Sequence, residues 1–124
     1  MIQKETLIQI TDNSGALLAK CIETYKKPTA TLGDIVLISI QKLNPKRGGL
    51  NKKKIKKGEL FYCLIVRVKK EKSRKDGSFI SFKENAGILL NKQKNPIASR
   101  AFGVTSQEVR KTSIKAASLF SKII

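Results

Sequence analysis

The sequence predicts a mainly β protein that folds as a small closed barrel, with a basic hairpin or loop extension and a short helical segment at its C-terminus. Two observations support this fold class. Short apolar runs alternate with turn signals along most of the chain, as in proteins built from many short strands. Few segments have the 3.6-residue period of an amphipathic helix. Several short strands joined by regular turns favour a small barrel over a doubly wound sheet.

The predicted strands are the apolar runs between the turn signals. In chain order they cover residues 6–10, 16–22, 35–40, 60–68, 78–82 and 87–91. The runs at 60–68 and 78–82 are predicted to form a hairpin, because a cationic turn that ends in Asp76-Gly77 joins them. Asp12, Asp34 and Asp76 lie in D-N-S-G, G-D and D-G. A short acceptor side chain stabilises a turn in such positions, and we prefer that role to a catalytic carboxylate pair.

The C-terminal part of the chain has a different pattern. Residues 105–108, T-S-Q-E, have the spacing in which the first hydroxyl and the glutamate cap each other's backbone N–H groups, so a short helix is predicted to start there. Residues 113–124 are predicted to form a second helical turn, although their period fits a helix only in part. The length suits one domain, with the barrel over about residues 1–98 and the helical segment over about 104–124.

The composition argues against an enzyme. The chain has no histidine, the commonest general base and metal ligand, which excludes a Ser/His or Cys/His nucleophilic site. Cys21 and Cys63 lie in apolar runs without the close spacing of a metal site or redox pair, which predicts buried thiols rather than a disulfide. No Gly-rich segment has the spacing of a nucleotide cradle. We therefore expect no catalytic residue, metal, cofactor or small-molecule substrate.

The distribution of charge predicts the class of partner. The net charge is +17, and no apolar run approaches the roughly 20 residues of a membrane helix, so we expect a soluble protein without a membrane partner. Residues 41–75 carry fourteen Lys and Arg against two acidic residues, whereas residues 1–40 carry four of each sign. A positive charge that is concentrated rather than spread evenly indicates a polyanionic partner, for which nucleic acid is the leading candidate.

The predicted nucleic-acid contacts lie in two basic segments. One is the loop at residues 44–58, N-P-K-R-G-G-L-N-K-K-K-I-K-K-G, for which a solvated linker is the alternative. The other is a hairpin tip at residues 69–75, which we expect to project from the barrel. The predicted binding residues are Lys46, Arg47, Lys52, Lys53, Lys54, Lys56, Lys57, Arg67, Lys69, Lys70, Arg74 and Lys75. The lysines would act as point charges on phosphate, and the arginines could also form a bidentate fork or stack on a base.

Four aromatic residues lie near these cations: Phe61, Tyr62, Phe79 and Phe82. Aromatic residues beside cations can form a base-stacking platform, as in proteins that bind single strands. Because these four stand on strands of alternating pattern, we predict instead that they pack in the core.

Fragments spread along the chain carry a resemblance to a known family. They occur in this order: M-I-Q at the start, T-D-N-S-G-A at 11–16, C-I at 21–22, G-D-I at 33–35, K-K-G-E at 56–59, V-R-V-K-K at 66–70, D-G-S-F-I-S-F at 76–82, N-A-G-I-L-L-N at 85–91 and P-I-A-S-R-A-F-G at 96–103. Together they resemble the L-fourteen family of large-subunit ribosomal proteins. The last fragment is more similar to the bacterial and organellar branch than to the archaeal and cytosolic one.

The resemblance implies both a fold and a set of partners. The implied fold is a five-stranded barrel with a C-terminal helical segment. The implied partners are large-subunit rRNA, small-subunit rRNA at an intersubunit bridge, the neighbouring L-nineteen ribosomal protein and the ribosomal silencing factor. Positions that match the family's docking site for that factor are Ser99, Arg100, Lys115 and Ser118. Catalysis is not part of this family's role.

The chain also departs from the pattern of the family. Leu17 and Leu18 stand where bacterial relatives place two arginines, and the loop between residues 40 and 58 is longer than usual, so cationic contacts are expected to have moved into that loop. The high ratio of 21 Lys to 5 Arg is expected of AT-rich coding. Together with a start that aligns with the family's own start, which implies no presequence, this ratio favours an organelle-encoded mitochondrial protein, with a plastid or bacterial cytoplasm as the alternative.

Two other classes of protein share part of this pattern. A free-standing RNA- or DNA-binding barrel would have the same charge. A secreted cationic protein that acts on membranes or RNA would be expected to have a signal peptide, bonded cysteines or a catalytic histidine, and the sequence shows none of them.

Overall fold

The computed structural model describes residues 2–25, 27–43 and 55–124. In this part of the chain there are nine strands and two short helices, with the following bounds. The strands are β1 (Leu7–Ile10), β2 (Ala16–Thr24), β3 (Ile35–Leu43), β4 (Leu60–Arg67), β5 (Lys72–Ser73), β6 (Phe79–Ile80), β7 (Ala86–Leu90), β8 (Val104–Thr105) and β9 (Lys122–Ile123). The helices are α1 (Gln107–Thr112) and α2 (Ile114–Ala117). The chain is therefore mainly β, as predicted.

Five strands form a closed barrel in the order β1-β2-β3-β4-β7. Neighbouring strands are antiparallel except at the closure, where β1 runs parallel to β7 with Gln9 opposite Ala86. Closure pairs the backbone groups that a sheet edge would otherwise leave open. The predicted five-stranded barrel is confirmed.

The interior of the barrel is an apolar core to which all five strands contribute. Its members include Ile8, Cys21, Ile38, Ile65 and Leu89, each at most 1% exposed. Along β1 and β3 apolar and more exposed residues alternate, because successive side chains point to opposite faces of the sheet. Both cysteines are buried free thiols, as predicted.

Strands β4 and β7 are buried on both faces. A second apolar cluster lies outside the barrel, where Leu64, Val66 and Ile88 meet Val109 and Phe120 from the C-terminal segment. Successive side chains of β4 therefore point alternately into the barrel core and into the outer cluster. Because both faces are buried, the strand is a continuous apolar run instead of an alternation of apolar and polar residues. The C-terminal segment completes the fold by covering this face.

Asp12 connects the turn after β1 to strand β7. Its carboxylate accepts hydrogen bonds from the backbone N–H of Ser14 at 3.1 Å and of Leu89 at 2.9 Å. Burial raises the pKa of Asp12 above its ordinary value, and the hydrogen bonds from Ser14 and Leu89 offset this only in part. Asp76 likewise accepts from the N–H of Ser78, and Asp34 from that of Thr31, so all three aspartates have the predicted turn role.

The C-terminal segment differs from its prediction in two respects. Helix α1 begins where expected, but Ser106 is its N-cap, and the hydroxyl of Thr105 donates instead to the carbonyl of Val66 at 3.4 Å. Thr105 belongs to β8, whose pairing with β9 commits it to the sheet and prevents the capping box. The second helical turn ends at Ala117 with Ser118 as its C-cap, and residues 122–123 form β9 rather than helix.

The long hairpin predicted between residues 60–68 and 78–82 is wrong. Both edges of β4 are occupied by its barrel neighbours β3 and β7, so it has no free edge for another strand. Beyond the barrel, the backbone N–H of Phe82 donates to the carbonyl of Val68 at 3.0 Å. The hairpin consists instead of the two-residue strands β5 and β6, with Lys72 opposite Ile80.

Candidate nucleic-acid interface

The first basic segment lies only partly within the described residues. Lys46, Arg47, Lys52, Lys53 and Lys54 fall outside them. Lys56 and Lys57 are exposed at the start of the turn that leads into β4. This turn is fixed to the barrel, because the N–H of Gly58 donates to the carbonyl of Ile40 at 2.7 Å and the N–H of Lys56 donates to the carboxylate of Glu59 at 3.0 Å. The two lysines therefore extend into solvent from a well-anchored position.

The second basic segment presents three exposed lysines: Lys69, Lys70 and Lys75. The Asn85 side chain holds the backbone at this point by accepting from the N–H of Lys69 at 2.9 Å. These charges lie where β4 leaves the barrel and where the β5–β6 turn begins. Their exposure leaves them available to a polyanion.

Arg74 links the hairpin to the C-terminal segment. Its Nε donates to the carboxylate of Glu108 in α1 at 2.9 Å, and its Nη2 donates to the carbonyl of Ile124 at 2.9 Å. Partial burial acts to raise the pKa of Glu108, but hydrogen bonds, including the one from Arg74, outweigh it and leave that pKa below its ordinary value. The hairpin does not project freely, because this ion pair ties it to α1, and Arg74 has a structural partner.

Arg67 is not part of the exposed basic surface. Its Nη1 donates to the carbonyls of Phe102 at 3.0 Å and Val104 at 3.2 Å, and its Nη2 donates to Glu84 at 3.0 Å. Only 9% of the side chain is accessible. Gly103, with φ of 85°, passes so close to the guanidinium that a Cβ there would collide with Nη1. Contrary to the sequence prediction of an exposed cation, Arg67 is buried and holds the chain beyond the barrel in place.

The aromatic residues follow the core prediction with one exception. Phe61 and Phe82 pack against the barrel core, and Tyr62 packs against the outer cluster. Phe79 instead is 66% exposed, because it points away from its buried neighbour Ile80 on the short strand β6. Successive side chains of β6 point to opposite sides, and the side that carries Phe79 faces solvent. The apolar run at residues 78–82 does not show by itself which side is buried.

The four residues predicted to bind protein are all exposed, and the fold brings their two segments together. Asn13 holds the first segment by two hydrogen bonds. Its side-chain oxygen accepts from the backbone N–H of Ser99 at 3.2 Å, and its backbone N–H donates to the carbonyl of Arg100 at 3.0 Å. In the second segment the hydroxyl of Ser118 donates to the carbonyl of Lys115 at 2.7 Å. The two segments meet directly after Arg100 and Ser118, where the N–H of residue 101 donates to the carbonyl of residue 119 at 3.3 Å.

Sequence reasoning missed two features near these sites. Ile114, next to Lys115, is 73% exposed at the start of α2. Tyr25, which directly follows β2, is exposed and lines the same cleft as Lys94, which is far away in the sequence. In both cases the sequence shows an apolar or aromatic residue beside a turn. The sequence does not show which distant residues surround that side chain, because the fold decides this.

The described residues show neither a metal site nor a membrane helix. In residues 2–25, 27–43 and 55–124 no group of three or more Cys, Asp or Glu residues is placed to hold a metal ion. Burial raises the pKa of the Cys21 and Cys63 thiols, which keeps both protonated. No helix in this part of the chain is long and apolar enough to span a bilayer.

The whole chain is similar to a known protein family. Residues 1–124, the whole chain, match the family described as ribosomal protein L14p/L23e. The match covers the strands of the barrel as well as the C-terminal segment that packs on β4 and β7. The chain therefore belongs to the L14p/L23e family of large-subunit ribosomal proteins, a structural and non-enzymatic class.

Proposed function

We propose that this protein binds rRNA as a structural component of the large ribosomal subunit and contributes to a bridge with small-subunit rRNA. The family match over the whole chain is the observation that carries the proposal. The position of the exposed lysines supports the proposal. The stretch of sequence between β3 and β6 contains five of them: Lys56, Lys57, Lys69, Lys70 and Lys75. The loop cations outside the described residues belong to the same stretch of sequence.

The chemistry of these lysines suits the rRNA backbone. A lysine that neutralises a phosphate releases condensed counterions, which gives an attraction that weakens as salt rises and depends little on base sequence. Lysines anchored by a rigid scaffold lose less freedom on binding than lysines on a free chain. The turn at Gly58 and the contact between Asn85 and Lys69 provide that anchoring.

The test of this function is fractionation of ribosomes from the source organism. We expect the protein to remain with the large subunit through a sucrose gradient at high salt, because many contacts would have to break together for release. A protein that leaves the subunit under these conditions and binds unrelated RNA equally well would instead be a free-standing nucleic-acid-binding barrel.

We propose that Ser99, Arg100, Lys115 and Ser118 form a docking surface for the ribosomal silencing factor. The proposal rests on the match of these positions to the family's pattern and on the contact that brings the two segments together. The guanidinium of Arg100 can form a bidentate pair with a carboxylate, and the neighbouring small hydroxyl side chains leave room for it. Contact with the L-nineteen protein is proposed from family membership alone.

The docking surface is tested by the affinity of the cognate silencing factor for large subunits. Large subunits that carry both Arg100→Ala and Lys115→Ala should bind the factor at least about tenfold more weakly, since each change removes a charged hydrogen-bonding group. Lys83→Ala, which removes an exposed charge elsewhere, is the control. Unchanged affinity of the double variant would leave Arg100 with an rRNA contact only.

We infer that the protein belongs to a mitochondrial ribosome and is encoded in the organelle, with a plastid or a bacterium as the alternative. The ratio of 21 Lys to 5 Arg supports this location. Mass spectrometry of ribosomes purified from separated organelles would decide among the three, and recovery in the bacterial or plastid fraction would contradict the mitochondrial location.

A further inference from the structure

A cationic cleft lies between the connection from β2 to β3 and helix α1. We call it the tyrosine cleft, because Tyr25 lines it. Its volume is about 420 Å³, within the range of pockets that hold small ligands. Four lysines from four separate parts of the chain also line it, namely Lys27, Lys72, Lys94 and Lys111. The fold therefore concentrates positive charge here from positions that no single sequence motif connects.

Tyr25 is the aromatic residue that lines the cleft, and its ring lies next to that of Tyr62. Tyr25 is 55% exposed, and its ring centroid lies 6.1 Å from that of Tyr62 at an interplanar angle of 54°. Tyr62 is fixed by its place in β4 and by the outer apolar cluster. Tyr25 is thus supported on one side and accessible on the other, which is what a stacking surface requires.

Lys94 is held beside this aromatic pair by a constrained turn. Its Nζ lies 5.9 Å from the centroid of the Tyr62 ring. Its φ of 63° is in the left-handed region, where a residue with a Cβ is strained. Three hydrogen bonds of 2.9 Å hold the turn. The N–H of Lys94 donates to the Asn91 carbonyl, the N–H of Asn91 donates to the Asn95 carbonyl, and the N–H of Asn95 donates to the side-chain oxygen of Asn91. A strained backbone that fixes a cation over an aromatic ring indicates a functional position.

The acidic residues of the cleft are already engaged. Asp34 accepts from the N–H of Thr31 at 2.9 Å, and Glu108 pairs with Arg74 at 2.9 Å. Within the described part of the chain no salt bridge joins a carboxylate to any of the four cleft lysines. Lys72 donates to the carbonyl of Leu32 at 3.5 Å, which turns its ammonium towards the cleft wall. The cleft is left with a positive potential for an anionic ligand.

We propose that the tyrosine cleft binds one unstacked nucleotide of a single-stranded RNA segment, with its base on Tyr25 and its flanking phosphates on Lys94, Lys111 and Lys27. This inference rests on the proposed binding of rRNA and adds a site that recognises a base. Unpaired nucleotides are recognised by stacking on aromatic side chains, with cations on the adjoining backbone. An acidic peptide would use the lysines but not the open aromatic face, so it accounts for fewer of the observations.

The composition of the chain makes this site directly observable. The protein has two tyrosines and no tryptophan, so its tyrosine emission comes from Tyr25 in the cleft and from its neighbour Tyr62. The probe is a short single-stranded oligoadenylate, titrated into the full chain and corrected for absorption by the bases. Stacking on Tyr25 should quench the emission as the complex forms. Inorganic polyphosphate, which has phosphates but no bases, should bind without comparable quenching.

Substitution then separates stacking from charge. Tyr25→Leu should weaken binding of oligoadenylate by about fivefold or more, the range expected for loss of one base–aromatic stack. It should leave binding of polyphosphate unchanged. Phe79→Leu is the matched control, because Phe79 is also exposed but lies outside the cleft, and its affinity should equal that of the wild type. Because Tyr25 is mostly exposed, its replacement should leave the melting temperature nearly unchanged, which circular dichroism checks.

The remaining outcomes contradict either the inference or the proposed function, and they can be told apart. Equal quenching by polyphosphate and oligoadenylate would indicate a phosphate site without base recognition. Stronger binding of polyglutamate than of oligoadenylate would indicate a protein partner. If Tyr25→Leu has no effect while the protein still sediments with large subunits, the nucleotide site is wrong and the ribosomal function stands. If the protein does not sediment with large subunits, the proposed function fails whatever the cleft binds.

Discussion

The outer surface of the barrel has two contrasting faces. On β4 and β7 the outward side chains, such as Leu64 and Ile88, are fully buried beneath the C-terminal segment. On β1 and β2 the outward leucines and isoleucine remain in solvent, with Leu7 53% exposed and Leu17 and Ile22 also accessible. Both faces carry large apolar residues. Whether such a residue belongs to a core is thus decided by where the rest of the chain packs, and not by its strand alone.

The covered face should show the largest effect of a single substitution. Leu64→Ala should lower the free energy of unfolding by about 3–5 kcal/mol, because it removes apolar contacts and leaves a cavity under α1. Urea denaturation followed by circular dichroism measures this. A loss below about 1 kcal/mol would mean that the C-terminal segment does not pack on β4 as the structure shows.

The polar attachment of the covering segment should show the next largest effect. Arg67→Ala should lower the free energy of unfolding by about 2–3 kcal/mol, since it removes charged hydrogen bonds to the carbonyls of Phe102 and Val104 and to Glu84. Arg67→Lys keeps the charge but cannot make the same set of hydrogen bonds, so it should recover only part of the loss. If both variants are as stable as the wild type but bind RNA more weakly, Arg67 is an RNA contact after all.

The ion pair between Arg74 and Glu108 should make the attachment of the hairpin dependent on pH. A carboxylate whose pKa is lower in the folded state contributes stability above its unfolded pKa and loses this contribution as the pH falls through the folded value. Hydrogen bonds lower the pKa of Glu108, so this contribution is present at neutral pH and disappears in acid. Glu108→Gln should reduce the acid dependence of stability, measured as unfolding free energy between neutral pH and about pH 3. An identical pH profile in this variant would contradict the assignment.

The open face should show the smallest effect. Leu7→Ala is the same chemical change as Leu64→Ala on the opposite side of the barrel, and we expect it to alter the free energy of unfolding by less than about 0.5 kcal/mol. The same urea denaturation compares the two variants. A loss as large as that of Leu64→Ala would show that the open face is covered in the free protein and would remove the contrast between the two faces.

The sequence was sufficient to predict the barrel strands, because local patterns determine them. The alternation in β1 and the continuous apolar run of β4 were both visible in the printed residues. The pairing of the runs at 60–68 and 78–82 was predicted wrongly, because the competition of β3 and β7 for the edges of β4 is a property of the whole sheet. Local patterns predict elements, and global packing selects their partners.

The candidate sites were predictable to a smaller extent. The charge of Lys69 and Lys70 and their position after a strand were enough to predict exposure. The burial of Arg67 could not be predicted, since the carbonyls that receive its hydrogen bonds lie more than thirty residues away. The approach of Lys94 to Tyr62 depends in the same way on the fold. Sites composed of residues distant in sequence need the structure.

The salt dependence of rRNA binding tests the central claim most directly, namely that exposed lysines after β4 hold the protein on rRNA. The measurement is the slope of log K against log salt concentration for a large-subunit rRNA fragment. Replacing Lys69 and Lys70 together with Gln should flatten the slope by roughly one to two units, or about one for each phosphate that is no longer neutralised. The matched control replaces Lys92 and Lys122 with Gln, which removes the same charge from exposed positions elsewhere and should leave the slope near that of the wild type. Equal slopes for the two double variants would contradict the account.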